Sequence, residues 1–98
     1  MTGFSDKVME ATRSITRGRV ATYADLARAL GNPKAARAVG TALKNNKKPI
    51  TIPCHRVIKS DGSLGQYSGK GSKEKLLAAE GVVIINGKVD LERFRAGL

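Results

Sequence analysis

Two amphipathic stretches meet at Gly31-Asn32-Pro33, and this junction constrains the fold more than any other feature of the chain. Glycine closes a helix by taking the left-handed conformation just past its last turn. Proline suits a first helical position, because its missing N–H would have had no partner there, and Asn32 is a good N-cap. The pattern therefore predicts a helix over Tyr23 to Leu30, capped by Thr22, with Leu26, Ala27 and Leu30 on one face. It predicts a further helix opening at Asn32-Pro33 and running to about Asn45. Two helices joined by a short glycine-containing turn suggest a helix-turn-helix, a motif that many unrelated helical pairs share.

The remaining elements are short. Ser5 to Ser14 reads as an opening helix, with Ser5 as N-cap and Val8, Met9 and Thr12 on one side, followed by a turn at Thr16-Arg17-Gly18-Arg19. After a polar loop from Asn45 to Lys48, the segment Ile52-Pro53-Cys54-His55-Arg56-Val57-Ile58 is apolar enough to be buried. Asp61-Gly62 turns the chain, Leu64 to Tyr67 reads as a short strand, and residues 68–72 as a loop. Ser72 begins a helix to Glu80 that Gly81 stops, and Asn86-Gly87 joins Val82–Ile85 to Lys88-Val89 in a hairpin. A short helix from Asp90 to Arg95 follows. The expected fold is mainly α with a small β element, a winged-helix-like helix-turn-helix, in one domain over residues 1–98.

Charge narrows the partner. Eighteen Lys and Arg against eight Asp and Glu give a net +10, an excess that favours a polyanion. No apolar run reaches the length of a membrane span, and the N-terminus lacks the basic-then-apolar layout of a signal peptide. An intracellular protein is expected, cytoplasmic or, in a eukaryote, nuclear. The single cysteine excludes an internal disulfide, and no Cys/His cluster has metal spacing, so neither a metal nor a cofactor is expected.

Two stretches carry chemistry. Between Pro33 and Leu43, Val39 and Leu43 lie four apart and can anchor one side to a core. Ala35, Ala36, Ala38, Gly40 and Ala42 leave the rest of that helix nearly bare, with Arg37 projecting. Gly40 costs about 1 kcal/mol of helix stability relative to alanine, so something must approach closely: another helix, or a nucleic-acid groove probed by one long cation. The second stretch places the chain's one cysteine, Cys54, beside its one histidine, His55. A Cys–His neighbourhood is what an activated sulfur nucleophile needs.

Taken together and in order, the motifs resemble one family. G-x-V-x-T-Y-x-x-L-A, G-N-P-K-A-A-R-A-V-G, I-P-C-H-R-V-I, G-x-x-G-Q-Y-S-G and L-L-x-x-E-G look like the O6-alkylguanine-DNA alkyltransferases (methylated-DNA–protein-cysteine methyltransferases), specifically their C-terminal DNA-binding and active-site domain without the N-terminal one. The resemblance implies single-turnover repair, in which an alkyl group moves from O6 of guanine to Cys54. It implies a relay in which His55 takes the Cys54 proton through a water and Glu80 orients His55. Tyr23 corresponds to a tyrosine that helps rotate the nucleotide and protonates the leaving guanine. Arg37 corresponds to a finger that fills the vacated stack, on a helix whose Ala35, Ala36, Ala38 and Gly40 admit it to the minor groove. Backbone groups of Cys54, Val57 and Ser68 would read the flipped base, Tyr67 and Ser68-Gly69 would wall the pocket, Asn46 would pin the active-site segment, and Arg56 would be structural. The implied partner is double-stranded DNA containing O6-alkylguanine, bound by a monomer without membrane or metal.

Two rivals stand beside this reading. Alkyltransferase-like damage sensors are of this size and bind the lesion without repairing it, usually with tryptophan in place of the nucleophile; this chain has no Trp and keeps Cys54. A sequence-specific regulator would need Asn, Gln or several Arg on its recognition helix, where this chain has alanines.

Overall fold

A computed structural model describes residues 3–45, 52–65 and 72–98. The first helix, α1, spans Phe4–Arg13. It starts two residues earlier than a Ser5 cap requires, because Gly3 takes the N-cap position with extended backbone and donates its N–H to Asp6 Oδ2 at 3.3 Å. Val8 and Thr12 are fully buried, the latter because its hydroxyl donates to the Val8 carbonyl at 2.7 Å.

Helix α2, Tyr23–Ala29, is capped as predicted. Thr22 Oγ1 accepts from the Asp25 N–H at 3.0 Å, and Asp25 Oδ2 accepts from the Thr22 N–H at 3.1 Å. This reciprocal box stabilises the helix start by about 1 kcal/mol. Helix α3, Ala36–Lys44, begins later than the sequence suggests, with Ala35 at its N-cap. The Ala35 N–H donates to the Asn32 carbonyl at 3.0 Å, so Asn32 and Pro33 occupy the first two positions of a β-turn. Asn and Pro are favoured in that order in such turns, and the turn reading prevails over the cap reading. Helices α1, α2 and α3 pack around Val8, Ile15, Leu26, Ala27, Val39 and Leu43.

A second cluster, built on Val20, Ile58, Leu77, Val82, Val89 and Phe94, joins the C-terminal elements to this bundle. Strand β1 (Ala21–Thr22) pairs in parallel with β2 (Val57–Ile58), Ala21 opposite Val57 and Thr22 opposite Ile58. Helix α4 (Lys73–Ala79) is capped by Ser72, whose hydroxyl accepts from the Lys75 N–H. The hairpin is shorter than expected, with β3 at Ile84–Ile85 and β4 at Lys88–Val89, since Val82 turns inward and donates its N–H to the Leu77 carbonyl. Asn86 and Gly87 both have positive φ (53° and 75°), as a two-residue primed turn demands. Helix α5, Leu91–Phe94, is capped by Asp90. Leu64 lies in no strand; Ser63 makes a single antiparallel bridge to Lys88, and Gln66 and Tyr67 lie outside the described residues. Among the described residues the architecture is mainly helical with two small sheets, and α2, the turn and α3 form the helix-turn-helix.

Candidate functional site

Pro53 sets up the site. Its φ of −77° and ψ of 65° are those of an inverse γ-turn, closed by the Cys54 N–H on the Ile52 carbonyl at 2.7 Å. The chain then makes one turn of 3-10 helix over Cys54–Arg56 before entering β2. Cys54 and His55 therefore do not alternate across a strand. Proline fixes the tight turn, and the Arg56 N–H returns to the Pro53 carbonyl at 2.9 Å. Cys54 is 5% exposed and packs in the three-helix core, at the edge of a cleft of about 1160 Å³.

Behind Cys54 lies a bonded ionic group. His55, 2% exposed, places Nε2 3.0 Å from Glu80 Oε2. Arg56 Nε donates to Glu80 Oε1 at 2.8 Å and Arg56 Nη2 to Glu80 Oε2 at 2.7 Å, while Nη1 donates to the Ile15 carbonyl at 2.9 Å. Burial by itself would raise the Glu80 carboxyl, but the bonds from Arg56 and then His55, with their charges, hold it down to about 2. An ionised carboxylate only accepts, so Nε2 carries a proton, and in the neutral imidazole the buried Nδ1 holds the lone pair. Arg56, which the sequence reading took as structural, is thus a direct partner of Glu80.

Glu80 occupies the C-cap of α4, and the turn after α1 holds that helix end in place. Arg17 Nη2 donates to the Ala79 carbonyl at 3.2 Å, and Gly18 passes so close to the Glu80 carbonyl that a Cβ there would lie 3.2 Å from it.

Across the cleft, the β1–β2 pairing sets Tyr23, the first residue of α2, beside the cysteine. Burial raises the Tyr23 pKa, and the neighbouring Cys54 raises it further. Ala36, Arg37 and Gly40 of α3 line the same cleft, with Arg37 exposed, while Val39 and Leu43 are buried and anchor the helix to the core as expected, Leu43 also reaching the cleft lining. Ala38 is exposed and Ala35 half-buried. A Cβ on Gly40 would meet the Tyr23 ring at an ordinary 3.9 Å, so no packing within the described fold requires glycine there. Val57 is fully buried, and its side chain belongs to the core. Asn46, Tyr67, Ser68 and Gly69 lie outside the described residues.

Two lysines at the site escaped the sequence reading. Lys73 is 5% exposed, with Nζ 5.8 Å from the centre of the Tyr23 ring, and burial lowers its pKa to about 8. Its signal was a cation in the first turn of a helix, where the dipole disfavours one. Lys59 lines the cleft from the turn after β2, and nothing local announced it. Among the described residues no group of three or more His, Cys, Asp or Glu is arranged to hold a metal, and no helix is long and apolar enough to cross a membrane.

The family described as "6-O-methylguanine DNA methyltransferase, DNA binding domain" matches residues 3–82. The chain belongs to this family. Among curated members, the rat methylated-DNA–protein-cysteine methyltransferase is 60% identical over 67 residues, covering 66% of this chain and 32% of its own length. The bifunctional methyltransferase/endonuclease of Picrophilus torridus is 52% identical over 82 residues, covering 83% and 28%. The chain thus spans about a third of the curated relatives it matches. Of solved structures, S. pombe Atl1 in complex with damaged DNA containing O6-carboxymethylguanine superposes with a TM-score of 0.88 at 33% identity, covering 100% of this chain and 98% of that one. The Mycobacterium tuberculosis OGT in complex with DNA gives 0.77 at 40% identity, covering 83% and 50%.

Proposed function

We propose that this chain repairs DNA by transferring an alkyl group from O6 of guanine to Cys54, in a single turnover. The observation that carries this reading is the Glu80–His55–Arg56 group, two of whose members share one 3-10 turn with a cysteine at the edge of a cleft. Glu80 holds the imidazole in the tautomer whose Nδ1 accepts the Cys54 proton. The sulfur then attacks the alkyl carbon next to O6. The S–C bond forms, the C–O6 bond breaks with its electron pair going to oxygen, and Tyr23 supplies the proton that leaves guanine neutral. The cysteine becomes a thioether, which has no ready route back to thiol.

O6 of a stacked guanine is out of reach of a cysteine at a cleft edge, so the nucleotide must leave the stack, at a cost of a few kcal/mol. Helix α3 is suited to assist. Val39 and Leu43 fix it to the core, its small residues let it approach the minor groove, and Arg37 is an exposed long side chain at the cleft edge able to take the base's place. Its first turn has neither a side-chain cap nor an acidic residue, which leaves its N–H groups available to a phosphate. The net +10 supplies the remaining attraction to DNA.

The deciding experiment is intact-protein mass after mixing with a duplex containing O6-methylguanine. A gain of one CH2, lost in Cys54→Ala, is the expected result. The likeness to Atl1 over the full chain favours a second reading, a damage sensor that flips and binds the lesion without reacting. Tight lesion binding with no mass gain would establish the sensor.

A further inference from the structure

The hairpin and α5 present an open face that neither the Cys54 cleft nor α3 uses. Among the described residues β3 pairs with β4 alone, so its outer edge is free. The Val89 N–H points away from β3, to the Gly62 carbonyl at 2.9 Å, which fixes the alternation of the ladder. Ile85 then bonds across to Lys88, and Ile84, opposite Val89, turns its own N–H and C=O to the open edge. Val83 and Ile85 are 43% and 67% exposed, although Ile84 between them packs on the second core cluster. With Phe94 they line a groove of about 280 Å³. Lys88 and Arg93 are exposed in the same lining, and the Arg93 guanidinium stands over the Phe94 ring, 4.9 Å from its centre. The acidic residue of the lining, Asp90, caps α5, its Oδ1 accepting the Glu92 N–H at 3.1 Å. No residue of this groove lines the cleft at Cys54, and all lie beyond residue 82, where the family match ends.

The occupant follows from these features together. DNA would set Val83 and Ile85 against phosphates, which bury no apolar surface. A second copy would bring together the Lys88 and Arg93 cations of two chains that each carry a net +10. We propose that the β3 edge and its groove dock an extended segment of a partner protein, with Val, Ile, Leu or Phe at its centre and Asp or Glu on both sides. Its backbone takes the free Ile84 groups by adding a strand to β3. Its apolar side chains fill the groove, and its carboxylates meet Lys88 and Arg93. None of this depends on whether Cys54 reacts.

The probe is a set of fluorescein-labelled heptapeptides with acidic ends and an apolar centre of those four residue types, titrated in fluorescence anisotropy. At least one should bind about tenfold or more tightly than both its controls, one with serine at the centre and one with amides in place of the acids. Ile85→Ser, at an exposed position, and Lys88→Glu should each remove that advantage, while Ile85→Ser keeps its affinity for duplex DNA and Cys54→Ala binds the peptides as the wild type does. The Ile84 amide should become protected from hydrogen exchange in the complex. Equal binding of the serine control overturns the proposal, since net charge alone would then hold the peptide. So does binding that Ile85→Ser leaves intact, or an Ile84 amide that exchanges as fast as in the free protein. Failure of every peptide in the set refutes it outright, and a dimer in sedimentation that Ile85→Ser dissociates assigns the groove to a second copy instead.

Discussion

Replacing Glu80 by glutamine tests the polar group at its centre. Three N–H donors converge on the carboxylate: Nε and Nη2 of Arg56 and Nε2 of His55. Glutamine has one acceptor oxygen, so its amide NH2 must face a donor. If it faces His55, the imidazole has to carry its proton on Nδ1 and offer Nε2 as acceptor, which removes the base from Cys54. The stability effect follows from the carboxyl's displacement from 4.5 to about 2. A displacement of that size corresponds to about 3 kcal/mol, and screening at the rim of α4 reduces the expectation to about 2 kcal/mol. Because the folded pKa lies below the unfolded one, this stabilisation is present in full above about pH 4.5 and is lost as pH falls towards 2. Urea unfolding of wild type and Glu80→Gln should therefore differ by about 2 kcal/mol at pH 7, with the gap closing below pH 4.5. Transfer at neutral pH should slow by about 10²-fold or more, the usual contribution of a positioned base. A variant as stable as wild type at pH 7, or one that transfers at the wild-type rate, refutes the reasoning.

Gly40→Ala should stabilise the protein by about 0.5–1 kcal/mol in urea unfolding, since helix propensity improves and the added Cβ meets only the Tyr23 ring at 3.9 Å; the same variant should bind DNA more weakly if α3 enters a groove. Arg37→Ala should slow transfer from duplex DNA while leaving reaction with free O6-benzylguanine unchanged; equal loss on both would place Arg37 in the chemistry or the fold. Binding to undamaged duplexes should fall with salt at a log–log slope of about −4 to −5, if about five phosphates are contacted; a flat response would remove the phosphate-driven model.

Local signals were legible where one residue type answers one backbone demand. The Thr22 cap, the Asn86-Gly87 turn and the Ser72 cap each follow from side chains that satisfy or permit a particular geometry. Asn32-Pro33 misled because the same pair suits a helix start and a β-turn, and only the chain's later course selects between them. The backbone shape of residues 52–58 was not legible for a related reason. Apolar composition signals burial but not backbone shape, and Pro53 turns the chain into a 3-10 turn instead. Lys73 was missed because hydrophobic patterning places lysine outside, whereas here the folded structure buries it against Tyr23.

The assembly of the site was the least legible part from the residues alone. It depends on β1 meeting β2, two strands of two residues each, separated by more than thirty positions and too short to leave a periodic trace. That pairing sets Tyr23 beside Cys54, and the turn after α1 sets Glu80 behind His55 through Arg17, Gly18 and the Arg56 bond to Ile15. Motif order named these residues because a resemblance carries such distant pairings implicitly. Cys54 also shares its core cluster with Val39 and Leu43, the two side chains that anchor α3. The helix proposed to enter DNA and the sulfur proposed to react are therefore parts of one packed unit. A shift of α3 on binding would move the walls of the Cys54 pocket with it, so recognition and reactivity at this site are mechanically joined.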